Sequence, residues 1–210
     1  MVSAPLALGV GALIIGGLLL AFRAYRRRLL LALRESNREL AATRAELRLA
    51  AITDSLTGLY NRRFFDEVTT HHLEHHRRFH LLLSLLYIDV DRFKAINDTQ
   101  GHAVGDRVLR HVADYIRHRF READYVFRIG GDEFVVLISC GADEAEKRVH
   151  DLQREFHATL VEADLPLSLG LSVGIAQVSA DASDLEHAIA QADERMYEDK
   201  RRRAAEMLGE

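Results

Sequence analysis

Two glycines and two adjacent carboxylates, in the run Arg128-Ile129-Gly130-Gly131-Asp132-Glu133-Phe134, are the residues of this chain best suited to chemistry. Tyr125 to Arg128 and Phe134 to Ile138 are β-branched and aromatic runs on either side, so the glycines fall where a tight hairpin needs residues that tolerate positive φ. Lacking side chains, they also admit a ligand close to the backbone. Asp132 and Glu133 present hard oxygen ligands beside that open surface, the donors that suit Mg²⁺ or Mn²⁺. Taken alone, such a run is as readily an acidic hairpin turn, and the motifs around it decide.

Those motifs resemble the GGDEF family of diguanylate cyclases. Asp54-Ser55-Leu56-Thr57-Gly58-Leu59-Tyr60-Asn61-Arg62-Arg63 is similar to the family's entry motif. Asp89-Val90-Asp91-Arg92-Phe93-Lys94-Ala95-Ile96-Asn97-Asp98 is similar to its first core strand and turn, and Gly101-His102-Ala103-Val104-Gly105-Asp106 follows in the usual place. The likeness runs from Thr53 to Lys200, one domain's worth of chain. It implies two divalent ions per active site, Mg²⁺ or Mn²⁺, held by Asp89, the backbone carbonyl of Val90 and Asp132, with Glu133 a further ligand. It also implies Asp132 as proton acceptor for an attacking 3′-hydroxyl, Lys94 and Lys200 on phosphate, and Asn97 and Asp106 on guanine. A carboxylate can accept from guanine N1–H and N2–H₂, whereas adenine offers no such pair. Arg128 is either a phosphate contact or a hairpin surface charge.

The implied reaction joins two GTP molecules into cyclic di-GMP with release of two pyrophosphates. Each 3′-hydroxyl must reach the α-phosphate held by a second domain, so a homodimer is expected. Arg121-x-x-Asp124 stands where many members bind product as an inhibitor; arginine can bond guanine O6 and N7 while aspartate takes the N1 and N2 protons. One departure is clear. Members follow the lysine corresponding to Lys200 with a Gly-Arg pair, whereas here Arg201, Arg202, Arg203 and Ala204 follow. Arg203 is one position out of register, about 100° round a helix.

Periodicity gives the elements that must position these residues. Asn61 can cap a helix starting at Arg62, Leu81 to Val90 is an apolar run of strand length, and Val104, Val108, Val112 and Ile116 form a helical stripe. Val149, Leu152, Phe156 and Leu160 form another stripe; Leu167 to Ala176 reads as a strand, and Leu185, Ile189, Ala192 and Met196 as a final helix. The order predicts an α+β, ferredoxin-like split βαβ sheet covered by helices on one side, the core that the resemblance implies, similar to nucleotide cyclase and polymerase palm domains.

Ahead of this domain, residues 53–210, the chain reads as two helical segments. Ala4 to Phe22 carries no charge and is followed by Arg23, Arg26, Arg27 and Arg28, which predicts a single-pass anchor over residues 1–25 in the cytoplasmic (inner) membrane with the catalytic domain in the cytoplasm. Residues 26–52 have no proline or glycine and predict a helical stalk, with Leu33, Leu40 and Leu47 recurring as a short heptad seam or lying on a solvated linker helix. The single cysteine, Cys140, excludes an internal disulfide and fits a reducing compartment. No basic groove points to nucleic acid. The histidines His71, His72, His75, His76 and His80 lack the carboxylates or cysteines of a recognised metal site and read as a hydrophilic helix end. Beside the enzyme, a silent GTP or cyclic di-GMP receptor of the same fold and a membrane scaffold are the alternatives.

Overall fold

The computed structural model describes residues 4–79, 81–178 and 184–208, and the chain divides into two compact units, residues 1–51 and 52–210. The first unit is helix α1, Ala4–Ile52, unbroken over 49 residues. Its stalk portion contains only helix-compatible residues, and leucines 33, 40 and 47 are all about half exposed or more.

The membrane anchor is not supported. Among the described residues, no helix is long and apolar enough to cross a membrane. A span needs about 20 apolar residues, and where the side chains of α1 are described, the apolar run 17–22 ends at Arg23. The single-pass localisation expected from residues 1–25 is therefore withdrawn.

The second unit is built on a mixed five-stranded sheet in the order β1-β3-β4-β2-β5. Strand β1 is Tyr60–Asn61, followed by helix α2, Arg62–Phe79, whose first turn is capped where the Phe64 N–H donates to Asn61 Oδ1 at 3.0 Å. Strand β2, Leu83–Asp91, is buried along its whole length, as a central strand with both faces covered must be. Helices α3, Phe93–Gln100, and α4, His102–Arg119, meet at Gly101, whose φ of 84° lets one residue close the first helix and open the second. The hairpin strands β3, Tyr125–Arg128, and β4, Glu133–Ile138, lead to helix α5, Ala142–Glu162, strand β5, Gly170–Val178, and helix α6, Asp184–Leu208. β1 and β3 are parallel; the other pairs are antiparallel.

Helices cover the sheet on both sides, not on one. The two-residue period of a strand separates them: Leu86, Ile88 and Val90 of β2 enter a core with α4 and α5, while Leu83, Leu85 and Tyr87 enter a second core with α2 and α6. Each fully buried aliphatic side chain stabilises by about 1.5–3 kcal/mol relative to exposure. α6 lies directly on β5, because a Cβ at Gly174 would come within 1.8 Å of the Ala192 carbonyl oxygen. That contact fixes the height of α6 over the sheet. Phe65 joins this second core, whereas Phe79 is 57% exposed at the helix end. The side chains of the α2 histidines, and His80, lie outside the described residues.

β5 is an edge strand whose outward backbone groups are occupied by side chains. Gln153 Nε2 donates to the Leu171 carbonyl at 2.9 Å, the Val173 N–H donates to Asp199 Oδ2 at 3.0 Å, and Arg195 donates to the Ile175 carbonyl at 2.5 Å.

Candidate active site

The alternation that buries Leu83, Leu85 and Tyr87 also sets Asp89 and Asp91 on the α6 face at the C-terminal end of β2. The hairpin tip enters at the same end, since β4 pairs antiparallel to β2 with Glu133 opposite Asp89, and the Val90 N–H donates to the Asp132 carbonyl at 3.2 Å. Acidic groups from two distant segments thus meet across one pair of strands. From α6, Lys200 Nζ reaches Asp89 Oδ1 at 2.6 Å.

The electrostatics show a site short of positive charge. Burial pushes the Asp132 carboxyl up from its ordinary value, and the neighbouring charge of Asp89 pushes it further. Burial also raises Asp91, whose Oδ1 accepts from the Ser172 hydroxyl at 2.6 Å. Burial works against the Lys200 ammonium, but its bond to Asp89 and the charges of Asp89, Asp132 and Asp91 together outweigh that and hold its pKa above the usual lysine range. Three carboxylates facing one ammonium are the donor chemistry for hard divalent cations, and the carboxylates are close enough to act on one another. Among the described residues no three His, Cys, Asp or Glu side chains are already gathered in a metal-binding cluster. The fit therefore rests on this excess of buried negative charge, with Asp89 and Asp132 as the donor pair.

Glu133 is drawn aside. Its Oε1 accepts from the Tyr87 hydroxyl at 3.3 Å, and its carboxylate folds over Gly130, where an added Cβ would stand 2.2 Å from Oε2. Burial, then the Glu133 charge, pushes the Tyr87 hydroxyl up in turn. Gly131 is open, with nothing within 4 Å of an added Cβ. Neither hairpin glycine has positive φ; among the described glycines only Gly58 and Gly101 do. Close approach, not left-handed backbone, is thus what the tip glycines permit.

Arg128 does not face open solvent. Its Nη1 pairs with Asp54 Oδ1 at 2.9 Å, and its Nε and Nη2 donate to the Gly131 carbonyl at 3.2 and 2.8 Å. Burial would raise Asp54, but bonds from the Thr57 hydroxyl and N–H and from Arg128 outweigh it and hold its carboxyl below the usual range. The guanidinium of Arg128 is therefore committed to the protein, and its visible work is to hold the tip.

After Asp91 the chain turns through Arg92, whose φ of 61° is left-handed and costs about 1–2 kcal/mol for a residue with a Cβ. That turn starts α3 at the site's edge. Lys94, on its first turn, is exposed and without an ion pair among the described residues. Asn97 packs against Gly105, where an added Cβ would meet its Oδ1 at 2.0 Å, and this Oδ1 is buried with no hydrogen-bond partner. A buried acceptor left unbonded costs about 1–3 kcal/mol. Asp106 follows on α4, half exposed, 3.9 Å from Arg110.

Arg121 and Asp124 lie apart from all of these, at the opposite end of β3 from the tip. Asp124 Oδ2 accepts from the Arg121 backbone N–H at 2.9 Å and pairs with Arg148 of α5 at 3.5 Å, leaving the exposed Arg121 guanidinium without an ion pair among the described residues.

Sequence reasoning passed over Asp54, Asp91 and Asp199. The first two were visible as signals: Asp54-x-x-Thr57 is a side-chain-to-backbone turn pattern, and Asp89-x-Asp91 on a strand places both carboxylates on one face. Asp199 gave no such signal, because its partners come from α5, β5 and α6.

A mixed sheet flanked by helices and carrying a Gly-Gly-Asp-Glu-Phe hairpin tip defines a GGDEF-type α+β domain. The family described as diguanylate cyclase, GGDEF domain, matches residues 51–206, and this chain belongs to it. Over 152 residues it is 39% identical to diguanylate cyclase DosC of Escherichia coli (strain K12), covering 71% of this chain and 33% of that protein. It is 36% identical over 157 residues to cyclic di-GMP phosphodiesterase NbdA of Pseudomonas aeruginosa, covering 74% of this chain and 20% of that protein. The chain thus spans a third or less of these two relatives. The coiled coil and GGDEF domain of DgcB from Caulobacter crescentus, solved in complex with c-di-GMP, matches with a TM-score of 0.71 at 27% identity, covering 82% of this chain and 94% of that one.

Proposed function

We propose that this chain is a diguanylate cyclase that condenses two GTP molecules into cyclic di-GMP and two pyrophosphates. The observation that carries the reading is the convergence of Asp89 and Asp132 beside Lys200 at one end of the sheet. Asp89, the Val90 carbonyl and Asp132, with Glu133 as a further ligand, would hold Mg²⁺ or Mn²⁺, two ions per site. When bound, such ions neutralise the triphosphate and acidify the attacking hydroxyl.

The chain's own groups supply the rest. Asp132, with its pKa raised, is suited to accept the 3′-hydroxyl proton as the oxygen attacks the α-phosphorus and pyrophosphate leaves. Lys200 and the unpaired Lys94 stabilise phosphate charge. Asp106 accepts guanine N–H groups, and the unbonded Oδ1 of Asn97 offers one more acceptor. Gly130 and Gly131 let the nucleotide approach the hairpin.

Two domains must face each other for both bonds to form. The exposed leucines of the stalk support a parallel homodimer, which raises the effective concentration of one domain near the other. Product feedback at Arg121 and Asp124 completes the reading, with the free Arg121 guanidinium as its cation.

The test is incubation of the whole chain with GTP and Mg²⁺ or Mn²⁺, with D132A as control. Cyclic di-GMP from the wild type alone supports the enzyme. Binding of GTP or cyclic di-GMP without turnover would replace it with a silent receptor. R121A should relieve product inhibition, and unchanged inhibition would remove that assignment.

A further inference from the structure

Glu133 stands opposite Asp89 in the register of β4 and β2, and Tyr87 stands opposite Val135 further along the same pair of strands. Side chains so placed share one face of the sheet. The direct pair has Cβ atoms about 4.5–5.5 Å apart, and the diagonal neighbour is still within reach of an aromatic residue. Like charges directly opposite destabilise the pairing. Glu133 therefore has two directions open to it, across to Asp89 or diagonally to Tyr87.

It takes the second. Oε1 accepts from the Tyr87 hydroxyl and Oε2 lies over Gly130, while Asp89 Oδ1 pairs with Lys200 instead. The backbone of Glu133 is fixed, because its carbonyl accepts from the Ile129 and Gly130 N–H groups at 3.0 and 3.4 Å across the tip. Only its side chain is left to turn, and the register already puts that side chain within reach of an ion on Asp89. Tyr87 cannot follow such a turn. It is 8% exposed, set between Val135 of β4 and Gly174 of β5 in the core that α2 and α6 close. At 3.3 Å its bond is longer than the usual O–H···O range of about 2.5–3.0 Å, a hold weak enough for a divalent charge to break.

We propose that Tyr87 is the positioning residue of Glu133, holding its carboxylate over Gly130 in competition with a divalent cation at Asp89 and Asp132, so that Glu133 ligates only an ion that draws it off the phenol. The hold has two effects. It keeps like charges apart on facing strands, and it lays a negative group over the glycine by which the nucleotide approaches. A triphosphate then meets an open hairpin tip once the cation has drawn Glu133 away. The inference rests on the reading of this end of the sheet as a cation and GTP site.

The experiment is titration of the whole chain with Mn²⁺ in the absence of nucleotide, the free ion being followed by electron paramagnetic resonance. Y87F keeps the ring and removes the hydroxyl. It is expected to bind Mn²⁺ about three- to tenfold more tightly than the wild type, the size of one modest hydrogen bond that ion binding no longer has to break. G130A, whose methyl would take the space of Glu133 Oε2, is expected to shift the affinity in the same direction. In an E133A background Y87F should change nothing, whereas a tyrosine that only packs the core would give no effect that depends on Glu133. If Y87F or G130A binds Mn²⁺ no more tightly than the wild type, or if Y87F keeps its gain in E133A, the assignment of Tyr87 is overturned. A wild-type chain that binds Mn²⁺ neither alone nor with GTP would overturn the cation site itself, a distinct failure that removes this proposal with it.

Discussion

Two aspartates flank the same hairpin tip and are treated in opposite ways. Asp54 is bonded by Thr57 and Arg128, and its carboxyl is held below its ordinary value. Asp132, a few residues from Arg128 along the chain, is half-buried against Asp89, and its carboxyl is pushed above it. The difference teaches which acid is architectural. Where partners outweigh burial, the charge contributes to folding; where burial and a like charge go uncompensated, the fold bears a cost that a cationic ligand can relieve.

The largest effect expected from breaking this contrast is on turnover. D132N should lower cyclic di-GMP formation by about 10²–10⁴-fold, the range for a lost general base, while its Tm in chelator stays equal to or above the wild type. A lower Tm would place Asp132 with the architectural acids. R128A should do the reverse in kind: about 1–3 kcal/mol of stability lost in urea unfolding, because Asp54 Oδ1 and the Gly131 carbonyl lose a donor. Its activity should fall only as far as the tip loosens.

Acid titration of stability sharpens the comparison. The Asp54 contribution is present above the unfolded carboxylate pKa of about 3.9 and is lost as pH falls through the lower folded value. D54N should therefore be less stable than wild type at neutral pH, with the deficit closing in acid. Asp132 has the opposite sign. Its folded pKa is raised, so its cost is fully present above that value and fades as pH falls toward the unfolded one. D132N, measured metal-free, should show an advantage at neutral pH that shrinks in acid. The smallest effect is expected of G130A, since the atom in its way is the flexible end of Glu133; under about 1 kcal/mol of stability should be lost.

Much of this arrangement was legible because it follows from periodicity. The apolar run before Asp89, the amphipathic stripes of α4 and α5 and the hairpin around Gly130 each carry their own signal, and together they place the acidic pair. What periodicity does not carry is the partner of a side chain. Arg128 looked available until Asp54, distant in sequence, was found against it. The second helical layer was missed for a similar reason: α2 and α6 are amphipathic, but nothing in their own pattern says which face of the sheet they cover. The anchor failed differently, since an uncharged stretch suggested a span that the described helix does not bear out.

The filled rim of β5 has a consequence for how copies of this chain can meet. With Gln153, Asp199 and Arg195 already bonded to its outward amide and carbonyl groups, that border offers little template on which a neighbour's strand can grow. Self-association by extension of the sheet at that border is therefore discouraged, because a neighbour's strand would first have to displace three side chains that already hold its backbone groups.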